Sequence, residues 1–148
     1  MKFKRQRSRQ SLTLKDYGPK PLIINIDRAT EQNQNFRTTL WTGNDMQLTL
    51  MSIPKNSDIG IEIHEDIDQF IKVESGRAII MMGKTKNSLN ESYELQEGFA
   101  VMIPSGTWHN ISNTGNSPLK LYSLYAPAKH PLGTVHKTKE DAQKDEND

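Results

Sequence analysis

The chain has 148 residues, no cysteine and a net formal charge of +1. That length suits one domain with a core that needs no staples, and the missing cysteines exclude disulfides and thiolate metal sites, so any metal must be held by nitrogen and oxygen. The near-neutral charge gives the chain as a whole no nucleic-acid footprint, no apolar run approaches the roughly 20 residues that span a bilayer, and the basic N-terminus lacks a signal peptide's apolar core, so the expectation is a soluble, cytoplasmic protein with neither nucleic acid nor membrane as a partner.

Residues 1–20 hold seven basic side chains (Lys2, Lys4, Arg5, Arg7, Arg9, Lys15, Lys20) against one acid, Asp16. They read as a solvated, mobile arm. Pro19 and Pro21 precede the folded part, a single domain over residues 21–136. Leu22–Ile26 reads as a first strand, Phe36–Trp41 as a second, and Met46–Leu50 as a third that Pro54 ends. Arg77–Met82 and Phe99–Ile103 are short apolar runs that suit buried strands. The polar stretch 84–92 reads as a hairpin tip, and Tyr93–Leu95, Trp108–Ser112 and Leu119–Tyr125 complete the series. Many short strands with turn signals every 8–12 residues indicate an all-β sandwich or barrel. Residues 137–148 are almost wholly polar and read as a C-terminal tail, either a short helix or frayed.

The informative stretch is Gly60–Gly76, Gly-Ile-Glu-Ile-His-Glu-Asp-Ile-Asp-Gln-Phe-Ile-Lys-Val-Glu-Ser-Gly. Ile59, Ile61 and Ile63 alternate with Gly60, Glu62 and His64, so in a strand Glu62 and His64 point the same way. Gln69, Ile71 and Val73 share one face of the next alternating run. Two strands joined by the acidic turn Glu65–Asp68 bring Glu62, His64 and Gln69 within reach of one another, and each carries a donor atom that a divalent metal accepts. Asp68 is an alternative to Gln69, although strand parity places it opposite Ile71 and Val73. His109, forty residues on, is a further candidate ligand.

The second informative stretch is Gly98-Phe-Ala-Val-Met-Ile-Pro104-Ser-Gly106-Thr-Trp-His109-Asn-Ile-Ser-Asn113. Pro104 supplies a fixed φ and Gly106 tolerates a positive one, which shapes a turn into the strand that His109 begins. Together the two stretches resemble the paired motifs of the cupin superfamily. The second motif matches at Gly98, Pro104, Gly106, His109 and Asn113. The first matches at His64 and Gly76. Glu62 stands where the family usually has its first His, Gln69 where it usually has Glu, and the opening glycine is displaced to Gly60. The nearest likeness is to single-domain bacterial cupins described as mannose-6-phosphate isomerase-like, from about Phe36 to His136.

The resemblance implies a double-stranded β-helix, a jelly-roll barrel, and a homodimer. It implies a divalent metal ion (Fe, Mn, Ni or Zn) held by Glu62, His64, Gln69 and His109, with Glu62 also available as a catalytic base. Two imidazoles and one carboxylate are the facial set of non-haem Fe(II) enzymes, which favours dioxygenase-like chemistry on a small oxygenated or anionic molecule. Zinc isomerases that share the fold use Gln, His, Glu and His, so a sugar or sugar-phosphate isomerase is the alternative enzyme. A non-catalytic ligand-binding or sensory cupin is the alternative from another class. Tyr93 and Tyr125 read as core or pocket lining. Asn110 and Asn113 read as braces for the loops. His130 and His136 read as a cap on the barrel mouth or a dimer contact, and not as metal ligands.

Overall fold

The computed structural model describes residues 11–147. Nine strands form two antiparallel sheets. They are β1 (Arg37–Thr42), β2 (Gln47–Ile53), β3 (Asp68–Ser75), β4 (Arg77–Gly83), β5 (Glu91–Gln96), β6 (Ala100–Ile103), β7 (Trp108–Asn113), β8 (Leu119–Ala126) and β9 (Val135–His136). The larger sheet runs β6-β3-β8-β2-β1-β9 and the smaller runs β5-β4-β7. Their facing surfaces close the jelly-roll barrel that the strand count and the motif resemblance lead one to expect.

The barrel interior is divided along its length. At one end, Ile71 and Val73 of β3, Leu121 of β8 and Ile53 of β2 pack against Ile80 of β4 and Ile111 of β7. All six are buried, and alternation along each strand delivers them to the same layer. At the other end the inward positions turn polar. The registers Gln47↔Tyr125↔Gln69 and Thr49↔Ser123 across β2, β8 and β3 align these residues side by side. Arg37 and Thr39 of β1 continue the layer through Arg37↔Met51 and Thr39↔Thr49.

Three expectations are corrected. Leu22–Ile26 forms no strand. Asn25 instead caps a helix, α1 (Ile26–Gln32), with its side chain accepting the Arg28 N–H at 3.1 Å and Asp27 in the first turn. Residues 11–18, expected within a solvated arm, lie against the barrel. Leu12, Leu14 and Tyr17 pack with α1 over Leu40 and Leu50, a second apolar cluster on the outer face of the large sheet, and the Tyr17 N–H donates to the Leu40 carbonyl at 2.9 Å. The first ten residues of the expected arm lie outside the described residues. The segment 59–64 is not a regular strand of a hairpin with β3. It runs beside β7 through single bridges, Asp58↔Ser112 and Glu62↔His109, interrupted at Gly60, whose φ of +87° departs from extended backbone.

The polar C-terminal stretch forms α2 (Lys139–Asn147), which returns Ala142 to the main core. Among the described residues no helix is long and apolar enough to cross a membrane.

Candidate metal centre

Glu62, His64 and His109 meet inside the barrel, with one potential ligand atom from each lying within 4.8 Å of the others. Backbone bonds set their positions. The Glu62 N–H donates to the His109 carbonyl at 3.0 Å, and the His109 N–H returns the bond at 2.9 Å. The Gly106 N–H donates to the His64 carbonyl at 2.9 Å, which ties the Pro104–Gly106 turn to the Glu62–His64 segment. Gly106 has φ +79°, and this turn needs that conformation to aim its N–H at His64. Asp68 accepts the Ser105 N–H at 2.9 Å from an exposed position. It therefore braces the turn and takes no part in the cluster.

The Glu62 carboxylate stands between two imidazoles. Its Oε1 lies 3.3 Å from His109 Nε2 and 3.4 Å from His64 Nε2. Burial alone would raise the Glu62 carboxyl, but the two imidazoles bonded to it outweigh that effect and hold it well below the usual carboxylate range. The tautomer of His109 follows from its other nitrogen. Nδ1 is 2.9 Å from the Thr107 carbonyl, which only accepts, so Nδ1 carries the proton. In the neutral ring Nε2 is then a lone pair facing a carboxylate, and two acceptors at 3.3 Å are held together by a cation between them, either a proton or a metal ion. His64 is buried, its Nδ1 has no hydrogen-bond partner, and its Nε2 meets only Glu62 Oε1, at a long 3.4 Å. An orphaned buried imidazole is costly unless a ligand completes it. The donor set of two nitrogens and one carboxylate oxygen therefore fits a divalent transition metal. The Nδ1–H bond to Thr107 is the outer contact that orients a metal-binding imidazole.

Gln69 sits on the inward face of β3 as its alternation requires, buried, with Nε2 donating to Ser123 Oγ at 3.3 Å. Its Oε1 has no hydrogen-bond partner, which leaves a neutral oxygen free to serve as a donor. Asn113 acts as the expected brace. Its Nδ2 donates to the Ile53 and Ser117 carbonyls at 3.0 and 2.9 Å, and its Oδ1 accepts the Gly115 N–H at 2.9 Å. Asn110 Nδ2 donates to Asp58 Oδ2 at 3.0 Å.

A second polar cluster adjoins the first, and sequence reasoning missed most of it. The Tyr125 ring meets His64 edge-on with centroids 5.7 Å apart, and meets His130 on its other side at 5.5 Å. Burial pushes the Tyr125 hydroxyl up to about 12. Burial, followed by the positive charge of Arg37, pushes His130 down to about 3, so His130 is a neutral imidazole. His136, expected to cap the barrel mouth or lie in a dimer contact, is an interior residue. It is buried in β9, where register pairs it with Arg37. Arg37 Nη1 donates to His136 Nδ1 at 3.0 Å, and His136 Nε2–H donates to Asp145 Oδ2 of α2 at 2.8 Å. Gln47 fixes His130 by accepting its N–H at 2.9 Å and donating to its carbonyl at 2.8 Å. The available signal was an arginine at an inward strand position, and recognising it as inward required the β1–β2 register.

The description of a cupin domain fits residues 49–125. The chain is 58% identical over 133 residues to the uncharacterized protein YrkC of Bacillus subtilis (strain 168), covering 90% of this chain and 72% of YrkC. It is 42% identical over 114 residues to the uncharacterized protein L612 of Acanthamoeba polyphaga mimivirus, covering 76% of this chain and 69% of that protein. Among solved structures, the Bacillus halodurans protein BH2720 superposes with a TM-score of 0.87 at 52% identity, covering 88% of this chain and 98% of that one. The jelly-roll barrel, the two motif stretches that converge on one interior site and the domain match have a single reading, and the chain belongs to the cupin family.

Proposed function

We propose that this cupin holds one divalent transition metal through Glu62, His64 and His109, with Gln69 as a weaker neutral donor, and acts on a small oxygenated or anionic molecule by dioxygenase-like chemistry. The observation that carries this reading is the convergence of two imidazole Nε2 atoms on one carboxylate oxygen at 3.3 and 3.4 Å inside the barrel. Such a facial set leaves coordination positions open, and the metal would supply Lewis acidity and a binding place for a co-substrate.

The protein's own residues divide the remaining work. The His64 and His109 side chains are 4% and 1% exposed, whereas that of Glu62 is 19% exposed. The substrate therefore approaches from the Glu62 side. Held as a carboxylate by its two imidazole neighbours, Glu62 can accept a hydrogen bond from a substrate placed there. Thr107 holds His109 in the tautomer that presents Nε2. A buried Gln69 oxygen without a donor favours a second reading, a zinc-dependent isomerase acting on a sugar or sugar phosphate, because Gln, Glu and two His are the donor types of zinc isomerases of this fold.

Elemental analysis of the purified protein beside a His64→Ala/His109→Ala variant tests both. About one iron per chain, absent from the variant and accompanied by oxygen uptake with a turned-over substrate, is the expected result. Zinc in that place would move the assignment to the isomerase. Absence of metal in the wild type after incubation with divalent ions would overturn both in favour of a binding module.

A further inference from the structure

A cavity of about 420 Å³ opens where the end of β2 and the start of β8 meet the chain that enters α2. Register pairs Ser52 with Lys120 there, and both point outward because their neighbours Met51, Ile53, Leu119 and Leu121 fill the core. The cavity therefore lies outside the barrel, apart from Glu62, His64 and His109. Phe36, Pro54 and Pro118 give it an apolar wall, and Lys120, Lys137 and Lys139 give it three cations. These charges are unequally balanced. Lys139 is ion-paired with Asp58. Lys120 is half-buried, and its ammonium donates to the Asn33 carbonyl, a neutral acceptor. Among the described residues no carboxylate lies within ion-pair distance of Lys120 or Lys137. Glu31 attracts Lys120 from farther away, but burial outweighs it and lowers this ammonium below the usual lysine range. Glu140 and Asp141, the acids of the first turn of α2, are not in the lining.

Removing an ammonium from water without a counter-charge is costly, and an anion that shares its site offsets the cost. Two uncompensated lysines on one cavity match two negative charges. A phosphate monoester carries about two at neutral pH and presents three strong acceptor oxygens, whereas a carboxylate carries one charge and leaves a lysine unmatched. The Ser52 and Thr138 hydroxyls also line the cavity and can donate to oxygens that the lysines do not reach. The apolar wall suits the organic part of an ester better than a bare ion. We propose that this cavity binds a small phosphate monoester, with its phosphate between Lys120 and Lys137 and its organic group against Phe36, Pro54 and Pro118. This site stands apart from the candidate metal centre and does not depend on the function proposed for it.

The test is calorimetric titration of phenyl phosphate, inorganic phosphate and acetate into the full-length protein at neutral pH and constant ionic strength. Prior chelation keeps the anions from reporting on a metal. Lys120→Met and Lys137→Met keep the apolar stem and remove the charge, and Lys84→Met, in the loop after β4, is the control, with circular dichroism confirming each fold. The expected result is saturable binding of phenyl phosphate, tighter than that of inorganic phosphate, with no saturable binding of acetate. Each of Lys120→Met and Lys137→Met should weaken phenyl phosphate about tenfold, and Lys84→Met should leave it unchanged. Should Lys120→Met fail to fold, Lys137→Met, at an exposed position, decides alone. No saturable binding of phenyl phosphate, binding that Lys137→Met leaves unchanged, or acetate binding as tight as either phosphate would each overturn the site.

Discussion

Glu62→Gln separates the electrostatic role of this carboxylate from its packing. The substitution preserves shape and one oxygen, and replaces an acceptor by an N–H donor. Glu62 Oε1 faces His109 Nε2 at 3.3 Å and His64 Nε2 at 3.4 Å, contacts that need a shared proton or cation. A glutamine N–H can donate to one of those lone pairs directly, so without metal the variant should be as stable as wild type or more stable by about 1 kcal/mol. With metal the order reverses. A ligand present at about 100 times its dissociation constant adds about 2.7 kcal/mol to the folded state, which for a chain of this size raises Tm by roughly 10 °C. Loss of the only carboxylate in the triad should abolish most of that gain at the same metal concentration. Differential scanning calorimetry of both proteins, chelated and with added Fe(II), Mn(II), Ni(II) or Zn(II), reads all four states. Equal metal-induced shifts in the two proteins would refute the assignment of Glu62 as a ligand. A metal-free variant several kcal/mol less stable than wild type would refute the account of the carboxylate as an acceptor facing acceptors.

Two further predictions concern the frame of the site. Asn113→Ala removes three hydrogen bonds at 2.9–3.0 Å to the backbone of Ile53, Ser117 and Gly115, so urea unfolding should show a loss of about 3 kcal/mol, and a loss below about 1 kcal/mol would contradict the bracing role. His130 titrates near 3 in the folded protein and near its ordinary value of about 6.5 when unfolded. Between these values the unfolded chain binds a proton that the folded one does not, so His130 makes stability fall as pH drops from about 6.5 toward 3. Urea midpoints at pH 4.5 and 7 should therefore differ less in His130→Asn than in wild type, and an unchanged difference would show that His130 is not held neutral.

Much of the architecture was legible because strand periodicity and turn chemistry are local. Gln69, Ile71 and Val73 fall on the inward face of β3 as alternation requires, and Pro104–Gly106 makes the expected turn. The helix α1 was missed because Leu22–Ile26 is apolar and β-branched, and the stronger local signal was the capping Asn25. At 61–64 the usual association of apolar with inside is inverted, although Ile59 just before still packs against the main core. Ile61 is 46% exposed while Glu62 and His64 turn inward, an arrangement that burial energy alone would not select.

Residue types and spacing by themselves determined the barrel class, the turns and the candidacy of Glu62, His64, Gln69 and His109, since each of these depends on neighbours a few positions away. Only the tertiary structure decided that Asp68 braces a turn, that residues 11–18 cover the outer sheet, and that Arg37, Thr49, Tyr125, His130 and His136 share one interior. Those pairings join residues up to 99 positions apart, as in Arg37 with His136, and depend on inter-strand register. Register is set by how nine strands close around a common core, and no local window of sequence contains that information.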